Sequence, residues 1–308
     1  MRALAKAVVL GGHGFLGQWL VRELLEGGTA VTVIDRSEAP PGAEWSSLVG
    51  PLEGVDLAGV FHDELPEVVF HLASPAFVPP SLLDPVGDLL GSVASTIALL
   101  EAARCCVHPP AVVLLSSAAV YGGAEFVPMT EDHPLAPMSP YGVAKLAAEE
   151  YLRLYHRIYD ISCFAVRPFS LYGPGQRKLF VFDLIRRVLE GENPCVIHGR
   201  SDVTRDLLYV RDAVRSIVTL ARNAPGRAES YNLGSGEAVS LAELAEAIIA
   251  ATGLPTSFAF TGEARAGDPL HWTADVSRAR ALGAEAATPL GEGLRDTVAW
   301  VRDVVADR

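Results

Sequence analysis

Apolar runs without polar alternation recur along about the first 170 residues, and longer segments of helical character separate them. The apolar runs are Ala7–Leu10, Ala30–Asp35, Val68–Leu72, Ala111–Leu115 and Ile161–Val166. The clearest helical segments are Phe15–Glu26, Asp84–Arg104 and Tyr141–Tyr159. A strand that is apolar on both faces is buried on both, which is typical of a parallel sheet covered by helices. The pattern therefore predicts a doubly wound α/β fold, the Rossmann arrangement.

The pattern is looser after residue 175, where short glycine-rich pieces separate the helical segments. The predicted helices are Phe180–Leu189, Asp212–Ala221, Leu241–Ala251 and a last one that starts at Thr288 with Pro289 in its first position. We therefore predict a sheet domain over residues 1–175 and a smaller C-terminal α/β lobe over residues 176–308. The lobe is expected to lie over the carboxyl edge of the sheet, with parts of the two interleaved.

Composition and charge narrow the choice of partners. Half of the 308 residues are hydrophobic, and the net charge is −12, which disfavours nucleic acid and anionic lipid as partners. No apolar run approaches the roughly 18 residues of a membrane span, and Ala7–Leu10 is too short for a secretory signal. We expect a cytoplasmic protein with no membrane partner.

The cysteines and histidines show no metal-binding spacing. Four cysteines are predicted to be buried, reduced thiols: Cys105, Cys106, Cys163 and Cys195. The eight histidines form no paired motif such as H-E-x-x-H. No metal site is expected.

A glycine-rich loop, GGHGFLG, follows the first apolar run and opens the first helix. Gly11, Gly14 and Gly17 permit a tight turn, close approach of a pyrophosphate to the backbone, and close packing of helix on sheet. The helix N-terminus, at Phe15 and Leu16, supplies unpaired N–H groups and a favourable dipole for phosphates. The strand before the loop and the helix after it favour a dinucleotide site over a plain tight turn.

The second apolar run ends in Asp35, 18 residues after Gly17. A carboxylate at this place accepts hydrogen bonds from the ribose hydroxyls of an adenosine and repels a 2′-phosphate. NAD is therefore the predicted cofactor. The neighbouring Arg36 leaves NADP open, because an arginine beside the acid can accommodate that phosphate.

Tyr141 and Lys145 lie four residues apart in SPYGVAK, so they share one face of a helix. A phenol has an ordinary pKa near 10. A nearby ammonium and a positively charged nicotinamide ring would both favour the phenolate and draw this pKa toward the working pH. The pair predicts a base that removes the O–H proton of a carbinol while the C–H hydride of the same carbinol goes to the cofactor. Lys145 would also hydrogen-bond the nicotinamide ribose. The alternative is that both side chains lie on a solvent-exposed helix face and have no catalytic role.

The segment SSAAVYGG places two hydroxyls at the end of the strand Ala111–Leu115. Strand ends of a doubly wound sheet meet at the carboxyl edge, so Ser117 is predicted to orient the same carbinol oxygen. Ser116 is predicted to form a turn or to satisfy the backbone instead.

These motifs resemble those of the extended short-chain dehydrogenases/reductases, in the branch of nucleotide-sugar epimerases and dehydratases. The resemblance covers almost the whole chain. It is carried by GGHGFLG with Asp35, HLAS (71–74), SSAAVYG, PYGVAK, RPFSLYGPGQ (167–176), RDLLYVRD (205–212), YNLGSG (231–236) and RAGD (265–268). It implies an N-terminal NAD domain, a C-terminal lobe for a nucleoside diphosphate sugar, and the triad Ser117, Tyr141 and Lys145.

The resemblance also implies positions for the rest of the cofactor. Leu72, Ala73 and Ser74 would line its pyrophosphate and ribose. Asp56 and Leu57 would meet the adenine.

For the substrate, the resemblance implies that Arg205 and Arg265 clamp the pyrophosphate, a role that suits a bidentate guanidinium; the alternative for each is a surface ion pair. His198 stands where the family often places an aromatic residue against the nucleobase. Ser170 stands where many members have a substrate-contacting asparagine, and Ser92 where an asparagine often lies near the cofactor. These two departures leave the identity of the sugar open.

Ala118 and Ala119 occupy the places where similar dehydratases carry an Asp-Glu pair. A methyl group transfers no proton, so 4,6-dehydration is disfavoured, as is decarboxylation. Two reactions remain. One is epimerisation at C4 through a transient 4-keto sugar, which Asp35 favours because an enzyme that regenerates its own cofactor suits tightly held NAD. The other is NAD(P)H-dependent reduction of a 4-keto sugar nucleotide. A non-enzymatic regulator that senses dinucleotide is a third, weaker alternative.

The segments Asp84–Arg104 and Tyr141–Tyr159 carry more Leu, Ala and Val than one buried face needs. In the family these two helices pair across a two-fold axis as a four-helix bundle. The resemblance therefore implies a homodimer.

Overall fold

The computed structural model describes residues 4–40, 42–75, 77–262 and 270–306. Its strands are β1 (Lys6–Leu10), β2 (Ala30–Asp35), β3 (Ser46–Val49), β4 (Val68–His71), β5 (Ala111–Leu115), β6 (Cys163–Pro168), β7 (Ser170–Tyr172), β8 (Cys195–Ile197), β9 (Thr204–Tyr209), β10 (Arg227–Leu233), β11 (Ala238–Ser240) and β12 (Phe258–Phe260). Seven of them form one sheet in the order β10-β6-β5-β4-β1-β2-β3, with every pair parallel. The predicted doubly wound fold is confirmed.

Helices cover both faces of this sheet. They are α1 (Phe15–Glu26), α2 (Leu57–Glu64), α3 (Val78–Leu83), α4 (Pro85–Leu89), α5 (Ser95–Arg104), α6 (Pro140–Tyr159), α7 (Leu179–Leu189), α8 (Val210–Asn223), α9 (Leu241–Thr252), α10 (Ser277–Arg280) and α11 (Leu290–Ala306). Neighbouring strand residues point to opposite faces, so Val9 enters a core with α1, α7 and α8, while Val8 and Leu10 enter a second core with α2, α5 and α6. Burial on both faces explains why the strands are uniformly apolar.

The chain beyond residue 175 returns to the main sheet. Its strand β10 pairs with β6 at the sheet edge, and α8 packs beside α1. The remaining C-terminal strands form two small sheets, β11-β9-β7 and β12-β8. The C-terminal part of the chain therefore contributes both to the main sheet and to the two small sheets. The division into two domains stays a prediction.

Several predicted boundaries differ from the structure by one or two residues, and three of the differences show how the element begins or is divided. The helix expected over Asp84–Arg104 is divided by a π-helical turn at Leu90–Ala94, with Asp84 as the N-cap of α4. The strand expected from Ile161 begins at Cys163, because Asp160 adopts a left-handed conformation to end α6. Pro289 precedes α11, and its carbonyl oxygen accepts the first helical hydrogen bonds, so it is the cap.

The stretch Pro85–Arg104 has the length and composition of a membrane span, with a mean hydropathy of 1.4, contrary to the expectation that no segment would. It is the one such helix in the described part of the chain. However, 44% of this window is buried, and α5 packs against α2 and α6. Core helices often meet the same criterion, so this is weak evidence for a membrane.

All four cysteines are free. Cys163 and Cys195 are buried, as predicted. The prediction is wrong for the adjacent pair, since Cys105 is exposed and Cys106 is half-buried. Both follow the last residue of α5, where the chain reaches the surface.

Candidate active site

The glycine loop after β1 is shaped by close contacts on two sides. Gly11 has φ of +83°, and a Cβ there would lie 2.7 Å from the backbone nitrogen of Ala73. A Cβ on Gly17 would lie 2.2 Å from the carbonyl oxygen of Gly11. At Gly14 the nearest atom would be 3.5 Å away, so this glycine keeps open space rather than relieving a clash. The loop thus packs tightly against the protein and leaves room on its outer side.

Helix α1 begins beside this open space. Gly14 is its N-cap, and no described side chain caps it. The first-turn N–H groups, including those of Phe15 and Leu16, have no partner within the helix. Unpaired N–H groups at a helix N-terminus, next to a glycine without a side chain, fit the pyrophosphate of a dinucleotide.

Asp35 ends β2, and hydrogen bonds hold its carboxylate in place. Oδ2 accepts from the backbone N of His13 at 2.9 Å, and Oδ1 accepts from N and Oγ of Ser37 at 3.0 and 2.8 Å. Burial raises the pKa of Asp35, but the bonds from Ser37 and His13 outweigh it and hold this pKa below its ordinary value. An ionised, half-buried acceptor is what a ribose diol requires. The neighbouring Arg36 is exposed.

The side chain of His13, which the sequence analysis missed, fastens the segment after Asp35. Its Nδ1 lies 2.8 Å from the carbonyl oxygen of Ser37, and its Nε2 lies 3.1 Å from Oγ of Ser47. Nε1 of Trp45 donates to Nε2 at 3.4 Å. The sequence offered one signal for this role, since the histidine lies inside the glycine motif.

Except for Ser92, the other residues predicted for the cofactor lie directly after β4 and at the start of α2. Leu72, Ala73 and Ser74 follow β4, and Ala73 touches the glycine loop. Asp56 is exposed and caps α2 by accepting from the backbone N of Gly59, while Leu57 is buried in the core. The adenine contact of Asp56 and Leu57 stays a prediction.

The tyrosine and lysine of the predicted triad lie near the start of α6. Ser139 caps this helix by accepting from the backbone N of Gly142. Both Tyr141 and Lys145 are buried, and the ammonium lies 5.6 Å from the centre of the Tyr141 ring. Nζ of Lys145 donates to Oγ of Ser74 and, at 2.8 Å, to the carbonyl oxygen of Leu115. Lys145 thus joins three elements at the carboxyl edge of the sheet.

The pKa of Tyr141 is raised to about 12, contrary to the expected lowering by Lys145. Burial is the main cause; a hydrogen bond with Ser117 lowers this pKa, and the charge of Asp88 raises it. The ammonium lies over the ring and is bonded elsewhere, so it does not offset the burial. The same burial lowers the pKa of Lys145 to about 8, with Asp88 and Glu149 acting in the opposite direction.

The two serines after β5 have different surroundings. Ser117 hydrogen-bonds Tyr141, and its Oγ also accepts from the backbone N of Ala119 at 3.1 Å. Ser116 is buried, and its Oγ donates to Oε1 of Glu149 at 2.5 Å. Ser116 was predicted to form a turn or to satisfy the backbone, but its side chain binds a buried carboxylate instead.

Ala118 and Ala119 form a 3₁₀ turn with Val120 directly after Ser117. Both alanines are buried, and Ala118 packs in a small apolar cluster with Tyr121. Buried methyl groups therefore occupy these two positions directly after Ser117.

A buried polar group lies near Lys145, and of its members the sequence analysis had singled out only Ser92. His71, Asp88 and Ser92 are buried, and Nδ1 of His71, both carboxylate oxygens of Asp88 and Oγ of Ser92 lack partners among the described residues. Burial and the charge of Lys145 lower the pKa of His71 to about 3. Nε2 of His71 lies 3.2 Å from Oγ of Ser95. Ser92, predicted near the cofactor, belongs to this group.

The residues predicted to bind substrate lie mostly in the C-terminal lobe. Ser170 begins β7, which pairs with the β9 strand that carries Arg205. The guanidinium of Arg205 lies 6.0 Å from the ring centre of Trp272, and its Nη1 donates to the carbonyl oxygen of Thr204. His198 is exposed after β8. Arg265 lies outside the described residues.

The sequence matches known proteins along its length. Residues 7–234 match the NAD dependent epimerase/dehydratase family. A UDP-glucose 4-epimerase of Mycolicibacterium smegmatis is 34% identical, over 97% of this chain and 99% of the relative. A putative UDP-glucose 4-epimerase of Methanocaldococcus jannaschii is 31% identical, over 96% of this chain and 98% of the relative.

The fold matches solved structures equally well. MoeE5 in complex with UDP-glucose and NAD superimposes with a TM-score of 0.88 at 37% identity. The match covers 98% of this chain and 100% of MoeE5.

Proposed function

Since the chain belongs to the NAD dependent epimerase/dehydratase family, we propose that it is an NAD-dependent epimerase that inverts C4 of a uridine diphosphate hexose. The relatives named above are UDP-glucose 4-epimerases, and MoeE5 binds UDP-glucose together with NAD. These names support a uridine diphosphate as the nucleotide, a choice that the sequence alone left open.

The cofactor is proposed to lie across the carboxyl edge of the sheet. Gly14 and the start of α1 would bind its pyrophosphate, and Asp35 its adenosine ribose. Ser74 and Lys145 would face the nicotinamide half. When bound, NAD supplies a hydride acceptor that becomes the donor for the return step.

The protein's own share of the reaction is proton transfer and orientation. Tyr141 removes the proton of the C4 hydroxyl and later returns it, while Ser117 hydrogen-bonds the same oxygen. With the pKa of Tyr141 at about 12 in the protein alone, an added positive charge is needed to make the phenolate accessible near neutral pH. The bound oxidised cofactor carries that charge on its nicotinamide ring.

The observation that carries the proposal is the burial of Ala118 and Ala119 beside the triad. Loss of water from C5 and C6 requires a further acid and base. The turn after Ser117 offers two methyl groups instead. With NAD bound as hydride acceptor and donor, the triad would suffice for oxidation at C4 and, once the 4-keto sugar has turned over, for reduction on its other face; epimerisation requires no further acid or base.

The experiment is incubation of the purified protein with UDP-glucose or UDP-galactose, with products separated by chromatography. Interconversion of the two without added cofactor supports the proposal. Turnover that occurs only with added NAD(P)H and a 4-keto sugar nucleotide would instead indicate a ketoreductase. Tight NAD binding without turnover on a panel of sugar nucleotides would indicate a regulator.

For the substrate we propose that Arg205 and Arg265 hold the pyrophosphate, that His198 packs against the uracil, and that Ser170 faces the sugar. Arg205 and Ser170 lie on paired strands of one small sheet, which supports a shared role. Each arginine would form charge-assisted bonds to phosphate oxygens.

We further propose a homodimer that forms through α3, α4, the π-helical turn and α6. This surface exposes large apolar side chains: Leu82, Leu83, Val86, Leu89, Leu90 and Val143. Leu83 is 89% exposed and Val86 is 65% exposed. A contiguous apolar patch of this kind marks an interface, and a two-fold pairing of these helices would bury it.

Finally, we propose that the protein acts in the cytoplasm, without a nucleic-acid or membrane partner. The net charge of −12 supports the absence of nucleic-acid and membrane partners, because it repels polyanions and anionic lipid.

A further inference from the structure

Tyr141, Lys145 and Glu149 follow one another at intervals of four along α6, and all three side chains are buried. The first two belong to the triad. Glu149 has no role in the proposed proton transfer, yet a buried carboxylate is costly unless it is fully bonded. Its partners therefore indicate what it holds together.

The carboxylate of Glu149 accepts five hydrogen bonds. Oε1 accepts from Oγ of Ser116 at 2.5 Å and from Nε of Arg167 at 2.9 Å. Oε2 accepts from Nη2 of Arg167 at 2.6 Å, from Nη2 of Arg153 at 2.9 Å and from Oγ of Ser230 at 3.2 Å. An ionised carboxylate offers about four lone-pair positions, so this one is saturated and cannot turn.

Ser116 precedes the catalytic Ser117, whose backbone is extended. Adjacent residues of an extended chain point to opposite sides. Ser116 accordingly faces Glu149 in the interior, while Ser117 faces Tyr141. The backbone N of Ser116 also donates to the carbonyl oxygen of Val166 at 2.8 Å.

Lys145 makes a second link between the same elements through the carbonyl oxygen of Leu115. In the proposed function Lys145 also binds the nicotinamide ribose, so this link is shared with the cofactor. The link from Glu149 to Ser116 is buried and independent of any ligand. It is a fixed connection between the segment after β5 that carries Ser117 and the helix that carries Tyr141.

We propose that Ser116 and Glu149 are positioning residues that set the separation between the hydroxyls of Ser117 and Tyr141. This rests on the proposed function, because it assigns these two hydroxyls to one substrate oxygen. A displacement of about 1 Å in such a pair reduces a rate by up to about 100-fold.

The test is Ser116→Ala, with Ser230→Ala as its matched control. Each variant removes one serine hydroxyl from the same carboxylate and leaves Arg167 paired. Ser230 lies on β10, away from Ser117. We expect Ser116→Ala to lower kcat by about 10-fold, within the range for misplacement, with KM nearly unchanged, and Ser230→Ala to change neither. Equal losses in both variants would overturn the proposal, since they would report only the stability of the Glu149 cluster.

A double-mutant cycle sharpens the result. If Ser116 acts through Ser117, Ser116→Ala should have no further effect on kcat in a Ser117→Ala background. Additive losses would overturn the proposal. Glu149→Gln is less suitable because it leaves Arg167 buried without its counter-charge and can prevent folding.

Crystal structures of Ser116→Ala and Ser230→Ala separate this proposal from the proposed function, because they need no turnover. A larger distance between Oγ of Ser117 and Oη of Tyr141 in Ser116→Ala alone would support positioning, even if the protein epimerises none of the sugars offered. An unchanged distance in Ser116→Ala would refute positioning, even if epimerisation is established.

Discussion

Lys145 donates a hydrogen bond from Nζ to the carbonyl oxygen of Leu115 at 2.8 Å. The helix that carries the tyrosine is thereby tied to the strand that leads into the serines. Because the bond ends on a backbone oxygen, it depends on the register of β5 against α6 and on no side chain of that strand. The relative position of the three residues of the predicted triad therefore depends on the packing of β5 against α6 as well as on the residues themselves.

Tyr141→Phe should lower epimerase activity by about 10²- to 10⁴-fold, the usual contribution of acid–base catalysis. The substitution keeps the buried ring and removes only the hydroxyl. Cofactor retention after gel filtration should be unchanged. Tyr151→Phe on the same helix is the matched control and should keep full activity. If Tyr141→Phe retains wild-type turnover, another group is the base.

Asp35→Ala should weaken NAD binding by roughly 1–3 kcal/mol, the range for lost hydrogen bonds to a charged acceptor. It should also reduce the preference for NAD over NADP, since the carboxylate no longer repels a 2′-phosphate. Isothermal titration with both dinucleotides measures this. Glu38→Ala removes an exposed carboxylate from the same loop and should leave both affinities unchanged. Tighter binding of NADP than NAD by the wild-type protein would contradict the assignment.

The sequence predicted the parts of this site that depend on local spacing. Tyr141 and Lys145 share a helix face because they are four residues apart, and Gly14 opens α1 because the motif dictates the turn. The contacts of Ser116 with Glu149, 33 residues away, and of His13 with Ser47 depend on how strands and helices meet. No periodicity in the chain reports such contacts.

The pKa of Tyr141 was also not predictable from the sequence. From the sequence, a lysine one turn away was expected to lower it, but the structure places the ammonium over the ring and buries the hydroxyl. The depth of burial is a property of the packed fold. It reversed the sign of the expected shift.

The stability of the protein should fall as the pH drops below about 6.5. His71 has a folded pKa of about 3 against an ordinary value of 6.5, so within this window the unfolded chain binds a proton that the folded protein does not. The free energy of unfolding should decrease by up to about 1.4 kcal/mol per pH unit from this group. Urea denaturation between about pH 6.5 and 5 measures the slope.

His71→Asn should flatten this slope, whereas His108→Asn, at an exposed position, should not. An identical pH dependence in wild type and His71→Asn would show that other groups account for it.

Leu83→Glu combined with Val86→Glu should convert the proposed homodimer to a monomer. Two carboxylates would have to be buried without partners at the interface, which costs several kcal/mol. Light scattering at micromolar concentration measures the mass. Leu254→Glu, at an exposed apolar position outside this surface, is the control and should stay dimeric. A wild-type monomer under these conditions would refute the homodimer.

The reaction itself gives the most direct test of the buried Ala118–Ala119 turn. If Ser117, Tyr141 and Lys145 are the whole apparatus for proton and hydride transfer, only C4 of the sugar is touched. In deuterated water the product should be the C4 epimer without deuterium at C5, because no residue removes the C5 proton. Mass spectrometry and proton NMR of the recovered sugar nucleotide distinguish the outcomes. Deuterium at C5, or a 6-deoxy-4-keto product, would require a second acid–base pair. In that case the two alanines would not mark the absence of dehydratase chemistry, and a buried carboxyl group near Lys145, such as Asp88, would be the first candidate to examine by substitution with asparagine.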